Sequence, residues 1–317
     1  MAINNLSRPS LINSYRHEFF KGSKLKYYRY VLLLPPLLTA VIMLIQTLVK
    51  VFGNPKLSPS SLTNLNDVYG LGLEGSVAFA SGTLTPLYGV FSLLLIIGCA
   101  LMVSNEYRWN TMKVLATRQP DRMRLVLSKW FFCFTFILCA TVSFMLCWLL
   151  YIPFTRYFFD QPFTITASDW ADFGGGLKYF ALQGLLAFIY SSLAIALTFQ
   201  FKSVVAGIIV YFVYNSIDAS LSSLSTVAIN ENFNPDGIFG ILAAILKFIN
   251  PFLLNSNFNR IIMQETTFLG STTGMPIPNE QIVISNPVWW AWIMLAIYLF
   301  IFTALAVYFF SRRDITE

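Results

Sequence analysis

Long apolar stretches separated by short polar ones set the rhythm of this chain, and they predict its helices. A hydrocarbon core about 30 Å thick needs roughly 20 consecutive apolar residues in a spanning helix. Runs at 30–49, 83–104, 130–152, 177–201 and 287–310 reach that length with few charges. A sixth run, 204–227, is apolar as far as Tyr214 and then turns polar at Asn215, Ser216, Asp218 and several serines. The fourth and fifth of these six meet in a very short polar turn at Lys202 and Ser203. The segment 237–254 is also apolar, but Lys247, Asn250 and Pro251 interrupt it. It reads as a re-entrant or interfacial helix pair, tolerable in a membrane only where protein surrounds it. Ahead of the first run, Leu11, Ile12, Tyr15 and Phe19 recur at helical spacing, with Arg16, Lys21 and Lys24 available to phospholipid head groups. That pattern predicts an amphipathic helix on the membrane surface within 1–29. The expected fold is therefore all-α and polytopic: a surface helix, one transmembrane domain over 30–310 with six spans, and a polar tail at 311–317. Gly174, Gly175 and Gly176 are expected to form a flexible lead into the fourth span.

Composition excludes a soluble reading. Hydrophobic residues make up 56% of the chain and charged residues 11%, against roughly a quarter charged in soluble domains. The net charge of +6 is an orientation signal, because the basic residues are unevenly placed. Fifteen of the 21 Lys and Arg residues fall in 1–29, 105–129, the Lys202 turn and the C-terminal tail, and six in the three alternate loops. By the positive-inside rule, both termini and the 105–129 loop are cytoplasmic, in a plasma (inner) membrane. A seventh span would strand Arg312 and Arg313 outside. The same asymmetry removes nucleic acid as a partner. Tyr27, Tyr28, Tyr30, Trp130, Trp289, Trp290 and Trp292 stand at span ends, where interfacial anchors belong. Cys99, Cys133, Cys139 and Cys147 all lie inside apolar runs and read as small buried side chains.

The 105–129 loop carries the most information. Tyr107, Thr111, Val114 and Leu115 share one helical side, Pro120 breaks the helix, and a basic helix then leads into the third span. A helix held sideways at the membrane face suits a groove of a cytosolic partner. Glu106, Thr111, Leu115, Pro120, Arg122 and Lys129 together make this loop resemble the permeases of the ABC-2 transporter family. In that family the segment is a coupling helix seated in a cleft of the nucleotide-binding subunit. Asn110 departs from the pattern, standing where the family usually has glycine; of the other residues, Asn best tolerates glycine-like backbone angles. The resemblance implies an ABC ATPase partner, a second permease subunit, and ATP with Mg²⁺ held by the ATPase. This chain itself has no phosphate-binding G-x-x-x-x-G-K-[ST] loop, so no cofactor is expected in it.

Candidate chemistry inside the membrane is sparse. Asp218 is the only ionisable residue well inside a predicted span, and with Asn215 it is a candidate for the substrate pathway. The alternative is that the fifth span ends at Asn215 and Asp218 marks its outer boundary. Gln46 and Gln183 are expected to donate hydrogen bonds between helices. His17 is the only histidine and precedes the first span, so no catalytic set and no histidine-ligated metal site can be assembled in the membrane. Three functions compete: a non-catalytic permease subunit of an exporter driven by a separate ATPase, a self-sufficient carrier or channel, and a membrane scaffold.

Overall fold

The computed structural model describes residues 11–52, 75–108, 122–158, 167–229, 238–265 and 287–312. Among them run α1 (Leu11–Lys24), α2 (Lys26–Phe52), α3 (Gly75–Arg108), α4 (Arg122–Phe158), α5 (Ala167–Phe201), α6 (Val204–Ile229), α7 (Ile238–Ile249), a 3₁₀ turn (Asn250–Phe252), α8 (Leu254–Glu265) and α9 (Val288–Ser311). The described residues contain no strand. Among the described residues six helices, α2 to α6 and α9, are long and apolar enough to cross a membrane. All six match the apolar runs, and each extends beyond its run at one or both ends. The chain is an all-α polytopic membrane protein.

Helix α5 is the axis of the bundle. It packs against α3, α4, α6, α8 and α9, and 72% of its spanning window is buried, against 22% in α2 and 17% in α6. Lipid tails are as apolar as leucine, so such a bundle is held by close packing rather than by escape from water. Tilted and edge-on ring contacts supply much of that packing. Phe91 of α3 meets Phe144 of α4, Phe144 meets Phe180 of α5, and Trp148 lies between Phe173 and Phe180, with ring centroids 5.2–5.7 Å apart. The glycine run expected to be a flexible lead lies inside α5 instead. Position 176 takes glycine because Trp148 occupies the place a side chain would fill, whereas Gly174 faces open space.

Breaks in the helices are satisfied from neighbouring elements. Pro35 and Pro36 sit inside α2, and the missing N–H of Pro36 leaves the Leu32 carbonyl without its helical donor. Ser143 of α4 donates its hydroxyl to that carbonyl at 3.3 Å. The α5–α6 turn closes with Lys202 at φ 54°, its N–H bonded to the Thr198 carbonyl; this left-handed cap is more often a glycine.

The interrupted segment is a helix pair bent by 68°. With 12 residues each, α7 and α8 are about 18 Å long, too short to cross alone. The sequence reading stopped at Leu254, yet the second arm runs on to Glu265. Its Asn- and Ser-rich composition hid an amphipathic helix whose Leu254, Phe258, Ile261 and Ile262 are buried.

Tyr27 and Tyr28, expected at the lipid interface, turn inward and donate to the Leu94 and Gly98 carbonyls of α3. Tyr30 and Trp289 do face outward, 66% and 60% exposed. Gln183 donates to Tyr179 of its own helix rather than across to another. The side chain of Gln46 lies outside the described residues.

Gly176→Ala is expected to destabilise the protein by about 1–3 kcal/mol, because Trp148 is locked between two rings and cannot yield. Gly174→Ala should be neutral or mildly stabilising, by up to about 1 kcal/mol. Thermal unfolding midpoints of the purified variants in detergent test the contrast.

Candidate functional site

Two polar clusters stand out in an otherwise apolar bundle. The first is at the end where α1, the C-terminal turn of α3 and the N-terminal turns of α4 converge. Ser14, Glu18 and Gly22 recur every four residues on α1 and form its buried stripe. Gly22 lies flat against Phe132 of α4, where a side chain would collide with the ring. That close approach carries Glu18 to Lys129, with Lys129 Nζ donating to Glu18 Oε1 at 2.9 Å. Lys129 also pairs with Glu106 of α3 at 2.5 Å, and Glu106 with Lys21 of α1 at 2.5 Å. The Lys129 and Glu106 side chains are fully buried, Glu18 is 4% exposed and Lys21 28%. Isolated charges there would be prohibitive, but two cations and two carboxylates in alternation cancel.

The arrangement closes a loop in the chain. Glu106 stands at the end of α3, just before residues 109–121, and Lys129 two turns into α4, after them, so their pairing ties the helices that flank that segment to each other and to α1. Arg122, at the first turn of α4, donates to the Ser311 carbonyl at the end of α9 at 2.7 Å. Both terminal helices, α1 and α9, thus meet the same end of the bundle. Tyr15 of α1 adds a hydrogen bond to Thr135 of α4 at 2.9 Å.

The six loop residues singled out in the sequence therefore separate. Glu106 and Lys129 are brought into contact with each other and are buried. Arg122 faces the end of α9. Thr111, Leu115 and Pro120 lie outside the described residues. Sequence reasoning missed Glu18, and expected Lys21 to face phospholipid, whereas it pairs with Glu106. A signal was present: Ser14 and Gly22, four residues either side of Glu18, mark a face for close packing, and a carboxylate on such a face needs a partner.

The second cluster surrounds Asp218. Helix α6 continues to Ile229, so Asp218 lies within the helix and not at its end, and only 4% of it is exposed. Its two carboxylate oxygens accept the backbone N–H groups of Leu254 and Asn255, at 3.1 and 2.8 Å. These are orphan donors of the first turn of α8. Leu253, the extended residue before that turn, has no side-chain oxygen to cap it. Asp218 supplies the cap from another helix, and its charge suits the positive end of the α8 dipole. Around it the bend is held from three sides. Asn250 donates to Ser225 of α6, Trp290 and Tyr298 of α9 donate to the Pro251 and Phe252 carbonyls, and Tyr190 of α5 reaches Asn255. Asn215, one turn before Asp218, is half-buried on the same side of α6.

Comparison with protein families finds that residues 16–218 match the ABC-2 family transporter proteins. The match covers well over half of the chain, from within α1 to Asp218, and includes the whole of the charge cluster. The chain belongs to this family. A comparison with curated proteins gave no match. The permease is thus a multi-pass transporter membrane subunit, of a family that is generally non-catalytic and works with an ABC ATPase. Its hairpin α7–α8 and its last helix α9 lie beyond the matched residues. Among the described residues, no three His, Cys, Asp or Glu side chains are grouped closely enough to hold a metal.

Two outcomes are expected. Lys129→Met leaves two buried carboxylates facing Lys21 alone among the described residues, a loss of about 3–5 kcal/mol. Adding Glu18→Gln restores the charge balance and should recover most of that stability, which thermal midpoints in detergent will show. Asp218→Asn offers one acceptor oxygen where two donors converge, at a loss of about 1.5–3 kcal/mol. Hydrogen exchange at 254–257 is expected to accelerate more than at the core of α5.

Proposed function

We propose that this permease is the membrane half of an ATP-driven exporter whose motor is a separate ABC ATPase docking on the segment between Glu106 and Lys129. The observation that carries the reading is the tying together of the helices that flank residues 109–121 by the buried charge cluster, at the position where the family places its coupling helix. A force applied to an untethered loop would be dissipated in the loop. A segment fixed at both ends to α1, α3 and α4 transmits a displacement to the spans themselves.

In this reading Thr111, Leu115 and Pro120 shape the docking surface. Glu106 and Lys129, being buried, act as positioning residues behind it, and Arg122 ties the segment to the end of α9. The cluster end faces the cytosol of a plasma membrane, as the concentration of basic residues there supports. ATP and Mg²⁺ belong to the partner. When the ATPase subunits close on ATP, the segment moves with them and the spans reopen on the opposite side, two permeases pairing around the pathway. Asp218 and Asn215 lie on the wall of that pathway, with Asp218 holding the α7–α8 hairpin in place. Both Asp218 oxygens are engaged by backbone donors, which favours this supporting role over that of an ion-coupling carboxylate in a self-sufficient carrier.

Affinity purification of the tagged permease from its native membrane is expected to retain an ATPase in stoichiometric amount. Leu115→Asp should release the ATPase at least tenfold while leaving the permease folded, as judged by its elution profile. Purification of the wild-type chain alone in a transport-active form would overturn the proposal.

A further inference from the structure

Helix α1 has a second face that the charge cluster does not use. Between residues 11 and 29 the only carboxylate is Glu18, which is buried against Lys129. The exposed charges of this stretch are therefore all positive: Arg16 and Lys24 on α1, and Lys26 and Arg29 just after it. Large apolar side chains alternate with them, Ile12 being 72% exposed, Phe19 46% and Phe20 59%. Lys24 Nζ lies 4.2 Å above the centre of the Phe20 ring, a cation resting on an apolar platform.

The depth of α1 says what this face meets. It packs along α4 at Lys129, Phe132 and Thr135, and the apolar run of α4 begins at Trp130. Helix α1 thus lies at the level where hydrocarbon gives way to head groups. A soluble anion would account for the cations but not for three exposed apolar side chains among them. An anionic phospholipid leaflet accounts for both, with phosphates on the cations and acyl chains against Ile12, Phe19 and Phe20.

We infer that α1 is a clamp whose grip on the coupling segment is set by anionic lipid. Lipid phosphates hold the exposed face of α1 down, and this presses Glu18 and Lys21 onto Lys129 and Glu106, fixing the helices that flank residues 109–121 relative to each other. The regulatory consequence rests on the reading of that segment as the ATPase dock. The lipid site and the clamp stand on the permease alone.

The test is hydrogen–deuterium exchange of the full-length permease in phosphatidylcholine nanodiscs with and without phosphatidylglycerol. Each exposed cation contributes on the order of fivefold to binding at an anionic surface. Phosphatidylglycerol is therefore expected to slow exchange across α1 at least tenfold, and with it exchange at 105–108 and 122–129. Arg16→Gln with Lys24→Gln should abolish most of the slowing everywhere. Glu18→Gln with Lys21→Gln keeps the Glu106–Lys129 pair intact and the fold neutral, so α1 should still respond to lipid while the segment ends no longer do. Equal exchange in the two lipid compositions overturns the lipid site. Protection confined to α1 in the wild type overturns the clamp. The same protection from soluble glycerol phosphate in phosphatidylcholine discs reassigns the surface to a free anion. With no ATPase in the assay, a failure of ATPase docking leaves every one of these outcomes unaffected.

Discussion

In hydrocarbon a backbone polar group with no partner has no water to fall back on, and this constraint explains more of the permease than any single contact. It makes the spans helical, and it decides what happens wherever a helix is interrupted. The Leu32 carbonyl freed by Pro36 meets Ser143. The carbonyls of Pro251 and Phe252 meet Trp290 and Tyr298. The first N–H groups of α8 meet Asp218. Each of these three interruptions recruits a polar side chain from a different helix, and these recruited contacts fasten α2 to α4, α6 to α8, and α9 to the bend. The breaks that weaken individual helices also specify which helices are neighbours.

The charge cluster applies the same logic to side chains. Lys129 and Glu106 would be ruinous alone, and they are stable because α1 contributes one charge of each sign at a spacing of three residues. The cluster stays neutral as a unit, so its strength depends on geometry rather than on salt in the surrounding water, since buried pairs are only weakly screened. Helix α1 is joined to the bundle by this cluster, by Gly22 against Phe132 and by Tyr15 against Thr135.

Much of this was legible in the sequence, for reasons that are themselves physical. The six spans could be read because a membrane helix must be apolar along its whole length, so hydropathy and structure carry the same information. The bend at Pro251 was legible from proline chemistry, but the second arm was not, because Asn255, Ser256, Asn257 and Arg260 mask an apolar face visible only at helical period. Tyr27 and Tyr28 stand at a span end, where position in the sequence cannot distinguish a ring facing lipid from one reaching into α3. Glu106 and Lys129 were found as members of a motif, but their pairing with each other and with Glu18 and Lys21 was invisible. Glu18 and Lys129 are 111 residues apart, and only tertiary packing brings them together. Asp218 was marked by its charge, yet its partners lie 36 and 37 residues further on.

The order of residues along the chain gives the charge cluster a consequence for biogenesis. Glu18 and Lys21 leave the ribosome more than 80 residues before Glu106 and more than 100 before Lys129. Until α4 has been threaded into the bilayer, α1 has no partners to dock on and must wait at the membrane surface, with Glu18 in water. Closure of the cluster then reports that three elements have arrived in register. Helix α1 is thus made before α3 and α4 but can be seated only after both.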